Sequence, residues 1–389
     1  MKQNPMNHDP QLAPYWRLSG FYFFYFASLG ALLPYWNPYL KSLGYSSIQI
    51  GLLMAIVMGT KIIAPNLWGW LADRSGKRMA IVRLASLLSV ICFAGVFISS
   101  NYSWLIVVMI SFSFFWNASL PQFEATTMNH LGTETHAYNT IRLWGSIGFI
   151  LFAVGLGYLI DWQGQFIVPI SLCVLFLFIW LSSLIVPEHA SPHFSRQAQP
   201  FREVLARREV KALLLSCFLV QVSHGPYYTF FSIYLEESGY ASVLIGQLWA
   251  LGVIAEIIMF LLMYRLLPRL GSRNLLLIAF LLTTLRWMLL ALFVDSLFML
   301  VLIQLLHAAS FGIVHAVAIH LIHRFFTGQN QGKGQALYSS LSFGAGGAVG
   351  SLYSGFIWES LGPVWVFMIA ALFSLTALLV SWRGIHVNT

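Results

Sequence analysis

The stretch Tyr39–Gly51, "YLKSLGYSSIQIG", returns at Tyr234–Gly246 as "YLEESGYASVLIG". The pairs Tyr39/Tyr234, Gly44/Gly239, Tyr45/Tyr240, Ser47/Ser242, Ile50/Ile245 and Gly51/Gly246 share one offset, 246 − 51 = 195, about half of the 389-residue chain. Working outward, the same offset relates Gly30 to Gly225, Gly76 to Gly271, Arg78 to Arg273, Gly155 to Gly350 and Tyr158 to Tyr353. In both copies the dense block falls where one long apolar run ends and the next begins. The pattern is that of a duplicated unit.

Composition places both copies in a membrane. Mean hydropathy is +0.76, with 58% of residues hydrophobic and 9% charged, whereas soluble domains carry about 25% charged residues. Runs long enough to cross a hydrocarbon core of about 30 Å as helices number six before the middle, from roughly 18–40 to 165–186. Six more follow, from roughly 211–235 to 363–382. We therefore expect an all-α integral membrane protein of twelve spans in two six-helix pseudo-repeats. Its expected parts are a tail at 1–14, a bundle at 15–187, a linker at 188–210, a second bundle at 211–383 and a tail at 384–389. The linker sequence, "VPEHASPHFSRQAQPFREVLARREVKA", opens with Pro and Ser and ends in charge, so a short surface helix can follow Pro200.

One set of alternate loops holds Arg74, Lys77, Arg78, Arg196, Arg202, Arg207, Arg208, Lys211, Arg265, Arg269, Arg273, Arg324 and Lys333. The other set offers only Lys41 among Asp161, Glu236, Glu237, Asp295 and Glu359. Short cytoplasmic loops carry Lys and Arg in excess, so both termini are expected in the cytoplasm. The net charge of +8 expresses this bias, favoured by anionic lipid, and does not point to nucleic acid. The polar start of the chain has no small-residue cleavage pattern, hence no signal peptide is expected. Cys92, Cys173 and Cys217 fall inside spans without a CxxC pattern and read as packing residues rather than metal ligands.

Parallel six-helix repeats related by an axis along the membrane normal are a transporter architecture, with the site between halves near the midplane. The loop after the second span, "GWLADRSGKR" at 69–78, resembles the signature loop of the major facilitator superfamily: Gly69, Asp73, Arg74, Gly76 and Arg78 match its spacing. The corresponding "YRLLPRLGSR" keeps Gly271 and Arg273 but has Pro268 in place of the Asp, so a weaker latch is expected there. Further stretches, "RLWGS" from 142, "QVSHGPYYTFFSIYLEESGY" from 221, "LWALGVIAEII" from 248, "LRW" from 285 and "QLLHAASFGIVHAVA" from 304, resemble the bacterial 3-phenylpropionate permease group. That group lies near the lactose and nucleoside proton symporters. The resemblance implies an inner-membrane, monomeric transporter that takes up a small organic anion, uses the proton gradient as its energy source and needs no cofactor.

Independently of resemblance, an ionisable side chain at bilayer depth costs about 2.5–3.5 kcal/mol or more and faces a cavity or a partner. Lys61 lies roughly 22 Å along the second span, and Glu256 is its repeat equivalent, 256 − 61 = 195. Opposite charges there suggest a pair across the centre. Asn117, Pro121 and Glu124 recur at helical spacing, and Arg142 opens the next span; Glu124 is read either as a coupling acid or as an interfacial latch for Arg142. Arg286 is mid-span. Gln221, His224 and Tyr228 form one stripe, while His307, Phe311 and His315 form another. Histidine titrates nearest neutral pH, so His224, His307 and His315, with Glu124 and Glu256, are the proton-coupling candidates. Lys61, Arg142 and Arg286 are the candidates for holding an anion. Asn117, Gln221, Tyr25, Tyr227, Tyr228 and Trp287 are expected at the substrate, while a packing role suits Gly346, Gly350 and Ser354.

The expected activity is proton symport of a small aromatic carboxylate by alternating access. Nucleoside or sugar symport, and export by antiport, are the alternatives. "RLWGSIGFILFAVGLG" lacks the proline usual in the fifth span of exporters. No nucleophile, metal motif or signalling domain argues for an enzyme or receptor.

Overall fold

The computed structural model describes residues 14–132, 137–188 and 200–386. The N-terminal tail before Pro14, Arg196 with most of the linker, and the last three residues lie outside the described residues.

Within the described residues the chain is helical throughout, and twelve helical spans run back and forth. The first half contains α1 (Tyr15–Ser42), α2 (Ser47–Ser75), α3 (Arg78–Phe97, its last turn 3₁₀), α4 (Tyr102–Leu131), α5 (Ala137–Gln163) and α6 (Ile167–Leu184). A short helix, Phe201–Ala206, precedes α7 (Arg208–Glu237). The helical stretch Ser242–Leu292 is two spans, because Gly271 has φ 74° and ψ 157° and turns the chain between α8 (242–270) and α9 (272–292). Only glycine adopts that φ cheaply. The last spans are α10 (Leu297–Phe325), α11 (330–361) and α12 (Pro363–Gly384). α10 contains a π-helical turn at Ala308–Ile313, and α11 contains one at Ser340–Gly346.

The repeated block has a direct structural cause. Gly44 and Gly239 take φ 87° and 85° to end α1 and α7, and the residues after them start α2 and α8. Ser46 caps α2, its hydroxyl accepting the Gln49 amide while the Gln49 side chain accepts the Ser46 amide, a reciprocal capping box. Gly30 and Gly225 repeat for another reason. A Cβ on Gly30 would strike the Phe149 carbonyl on α5, and one on Gly225 would strike the backbone of Gly350 on α11. Small residues let these helices cross at backbone distance.

α1 packs on α5 and α6, α2 on α4, and α7 on α11 and α12, giving two six-helix bundles. The bundles meet through α2 against α11 and α5 against α8, which are equivalent pairs in the repeat. Large apolar side chains such as Trp16, Ile98, Trp162 and Phe298 cover the outside, as expected of a surface solvated by lipid. Gly346 and Gly350 face α7 backbone at Phe218 and Val222, the packing role expected of that stripe.

The end carrying the Lys- and Arg-rich loops is called the basic end here. At the opposite end the bundles touch tightly. Gly51 on α2 sits against Ser351 and Gly355 on α11, and Gly246 on α8 sits against Ala153 on α5. Lys41 pairs with Glu237 at 2.5 Å, and Asn37 donates to the Tyr228 carbonyl at 3.0 Å. At the basic end, Asn66 on α2 donates to Ser340 on α11 at 3.1 Å.

Candidate functional site

The second bundle holds a continuous polar chain in its interior. Arg286, fully buried on α9, donates from Nε to the Ile303 carbonyl at 2.9 Å. Its Nη1 donates to Nδ1 of His307 at 3.1 Å and to Oγ of Ser310 at 2.9 Å. Arginine is only a donor. Nδ1 of His307 must therefore carry the lone pair, which leaves a neutral ring with its proton on Nε2, 3.6 Å from Oε2 of Glu256 on α8. The guanidinium also lies 4.4 Å from the Tyr227 ring and 4.5 Å from the Trp287 ring, so aromatic faces compensate part of its desolvation.

The aromatic wall continues around this chain. Tyr227 packs on Trp249, with ring centres 4.6 Å apart, and donates to Oε1 of Gln304 at 2.9 Å. The Trp287 indole donates to Ser223, and the Trp249 indole donates to Ser232. His224 uses Nδ1 to donate to the Val220 carbonyl at 2.7 Å, and its ring stands edge-on to Trp287. Three buried nitrogens here have no partner in the described structure: Nη2 of Arg286, Nε2 of His224 and Nε2 of Gln304. An unmade buried hydrogen bond costs about 1–3 kcal/mol, so a polar ligand or water reaching them would gain free energy.

On α10 the stripe read from sequence is real. Phe311 stacks between His307 and His315, at 5.6 and 5.7 Å with interplanar angles of 17° and 13°. His315 shares a 3.1 Å hydrogen bond with the Tyr338 hydroxyl on α11. Gln221 lines a small cavity with Ser310, His315 and Tyr338. His320 and His323 are exposed near the basic end.

In the first bundle the expected pairings change. Glu256 does not pair with Lys61: the Lys61 ammonium contacts only Sδ of Met58 at 3.5 Å, with no carboxylate within 4 Å among the described residues. Helix α5, which carries Arg142, packs on α8, which carries Glu256, whereas α2 with Lys61 packs on α11. Repeat equivalence thus relates Lys61 and Glu256 in position without bringing them together. The direct Glu124–Arg142 latch is likewise not formed within 4 Å. Tyr138 donates to Glu124 at 3.4 Å, and the Arg142 guanidinium lies over the Phe26 ring at 3.6 Å.

Asn117 also takes a different place from the one expected. Its amide donates to the Val57 carbonyl at 3.0 Å and to Thr60 at 2.9 Å, fastening α4 to α2. Tyr25 stacks on Trp116 at 5.2 Å inside the first bundle. Lys61, Glu124, Arg142, Tyr228, Glu256 and His315 retain partial exposure at depth, whereas Arg286, His224, Tyr227 and Trp287 form a buried layer. Gln304, Ser223, Trp249 and Tyr338 were not singled out by sequence reasoning. Gln304 stands three residues before His307, a helical-face spacing that a wider search for polar neighbours would have found.

The signature loop forms a compact turn. Arg78 bridges Asp73 at 2.5 Å and donates to Gln122 on α4 at 3.3 Å, while Gly69 sits against the same Gln122. Gly76 ends α2 with φ 68°, and Arg74 lies 5.6 Å from the Trp70 ring. In the second copy the one acceptor of Arg273 among the described residues is the Trp382 carbonyl, at 3.0 Å. A neutral acceptor there accords with the weaker latch expected.

This arrangement, two bundles with ionisable groups between them, agrees with comparison to known proteins. Residues 15–369 match the MFS_1 like family. The chain belongs to that family. It is 30% identical over 366 residues, covering 92% of this chain and 94% of the other, to a probable 3-phenylpropionic acid transporter of Escherichia coli (strain K12). It is 27% identical over 362 residues to the maltose permease of Geobacillus stearothermophilus, covering 89% of each. Among solved structures, the nucleoside transporter NupG superposes with a TM-score of 0.80 at 17% identity, over 96% of this chain and 99% of that one. The protein is therefore a multi-pass membrane transporter of the major facilitator fold, and not an enzyme.

Proposed function

We propose that this major facilitator protein is a proton symporter that carries a small aromatic carboxylate inward across the bacterial inner membrane by alternating access. The observation that carries this reading is the division of charge at depth. Among the described residues Lys61 and Arg142 have no carboxylate within 4 Å, while Glu256 is held beside His307. An organic anion would supply the charge that the two bases lack, and a planar guanidinium suits a carboxylate. Glu256, on a helix packed against the one that carries Arg142, would take the proton. With Glu256 protonated the site keeps an excess of positive charge that the bound anion offsets, so loading both together is favoured. The resemblance to the 3-phenylpropionic acid transporter, together with the wall of Tyr227, Tyr228, Trp249 and Trp287, supports an aromatic ring beside the carboxylate.

In this reading the protein is a monomer whose bundles at 15–187 and 211–383 rock against each other about the linker at 188–210. Both termini lie in the cytoplasm, as the basic loops suggest, and no cofactor takes part. One monoanion with one proton moves no net charge and is driven by pH difference alone, about 1.4 kcal/mol per unit. A second proton would add about 2.3 kcal/mol per 100 mV.

The test is uptake of labelled 3-phenylpropionate into proteoliposomes with an inward proton gradient, against gradient-free and protein-free controls. Gradient-driven accumulation is expected. Absence of uptake by correctly inserted protein would overturn the aromatic-acid assignment. A panel of cinnamate, a nucleoside and a disaccharide would then test the alternatives suggested by the maltose permease and NupG.

A further inference from the structure

The end away from the basic loops carries a reciprocal arrangement. Asp161, at the end of α5 in the first bundle, accepts the first two amides of α8 in the second. Oδ1 takes Ser242 N and Oδ2 takes Val243 N, each at 3.0 Å. Glu359, near the end of α11 in the second bundle, accepts the first amides of α2 in the first. Its Oε2 takes Ser47 N at 2.9 Å and Ile48 N at 3.4 Å. Helices α2 and α8 are repeat equivalents, as are α5 and α11, so equivalent helices meet through analogous contacts, although the two carboxylates stand at different register positions, 359 − 161 = 198 against the repeat offset of 195.

A helix start leaves its first amides unbonded and bears partial positive charge. Carboxylates are strong acceptors for those amides. Ala241, before α8, offers no side-chain cap of its own, so Asp161 supplies it from the other bundle. At the basic end the carboxylates are used differently. Asp73 bridges Arg78, and Glu188 accepts the Met79 amide, both within the first bundle. The cross-bundle carboxylate caps are therefore peculiar to one end among the described residues.

We infer that Asp161 and Glu359 are paired positioning residues for transport, closing the path at the end away from the basic loops. That end parts only by breaking both carboxylate–amide contacts, which leaves α8 without a side-chain cap and α2 with its Ser46 capping box alone, and closing it restores both contacts. The inference rests on alternating access but not on the substrate or on proton coupling.

The experiment measures how fast a polar maleimide labels Asn37→Cys in detergent-purified protein lacking Cys92, Cys173 and Cys217. Asn37 is 1% exposed and donates across the bundles at this end, so its labelling reports parting without substrate or gradient. Losing one good cap corresponds to about a fivefold shift in population. Asp161→Ala or Glu359→Ala alone is expected to raise the rate about fivefold, and the pair on the order of 25-fold. Asp161→Glu, which keeps the carboxylate, should return the rate toward the parent. Should the double alanine variant fail to fold, Asp161→Asn with Glu359→Gln replaces it, with a smaller rise in the same direction. Parental labelling in a folded double variant, accompanied only by a lower unfolding temperature, would overturn the inference by making the caps purely structural. A single variant labelling as fast as the double would overturn the pairing.

Discussion

Placing one methyl group at two glycines should separate motion from stability. A Cβ on Gly246 would land on the Ala153 carbonyl and the Tyr35 hydroxyl, with the Ala153 carbonyl carbon at 2.9 Å; these belong to the other bundle. A Cβ on Gly225 would meet the Gly350 backbone and Ser351 N at 2.6 Å, inside the same bundle. Backbone atoms cannot swing aside as side chains do, and such overpacking costs about 1–3 kcal/mol. For Gly246→Ala the bundles escape the clash by parting; the better helix propensity of alanine is common to the sealed and parted states and leaves their balance unchanged. The sealed state is then disfavoured by about 1–3 kcal/mol, roughly a 5- to 140-fold change in population at about 1.4 kcal/mol per tenfold. Gly225→Ala has no such escape and should lower stability instead. Spin labels on the exposed residues Leu43 and Ser360, in the two bundles, would read the change as a lengthened distance for Gly246→Ala and an unchanged one for Gly225→Ala. If Gly246→Ala left that distance alone and lowered the unfolding temperature as Gly225→Ala does, parting would not relieve the contact and the reasoning would fail.

Other outcomes follow from the polar interior. Glu256→Gln should abolish accumulation of 3-phenylpropionate against its gradient while sparing exchange, measured as counterflow; full accumulation by this variant would remove Glu256 from the proton step. Lys61→Met should raise the half-saturation concentration at least tenfold, since a hydrogen bond to a charged group contributes about 1.5–3 kcal/mol, with little change in unfolding temperature. Asn117→Leu should do the reverse, lowering stability by about 1–3 kcal/mol through the lost Val57 and Thr60 acceptor contacts with unchanged substrate affinity. Asp73→Asn should change stability by less than about 1 kcal/mol, because the acid of that bridge is 68% exposed.

The fold was legible because membrane spans are written in composition and because repeated glycines answer repeated backbone demands. Gly44 and Gly239 end equivalent helices, and Gly30 and Gly225 let equivalent helices cross. The stripe His307, Phe311 and His315 was legible through helical spacing. What could not be read was partnership across the interface. Lys61 and Glu256 obey the repeat, yet a pseudo-two-fold axis sends equivalent helices to different neighbours, so Glu256 meets His307 while Lys61 lies against Met58. Asn117 shows another limit: an amide at depth looks the same in sequence whether it binds substrate or ties α4 to α2. The layer of Arg286, Gln304 and Ser310 depends on contacts between α9 and α10, which sequence spacing does not encode.

The two π-helical turns, Ala308–Ile313 in α10 and Ser340–Gly346 in α11, behave as dislocations do in a crystal. Each is one surplus residue wound into an otherwise regular lattice of hydrogen bonds. Such a defect can glide along its helix by trading one bond at a time. Any residue it passes turns by about 100° and shifts by about 1.5 Å, while both ends of the span stay anchored. His307 immediately precedes one defect and Tyr338 lies just before the other. A slip of a single residue in either turn would thus re-aim the side chains beside it without requiring a whole helix to move.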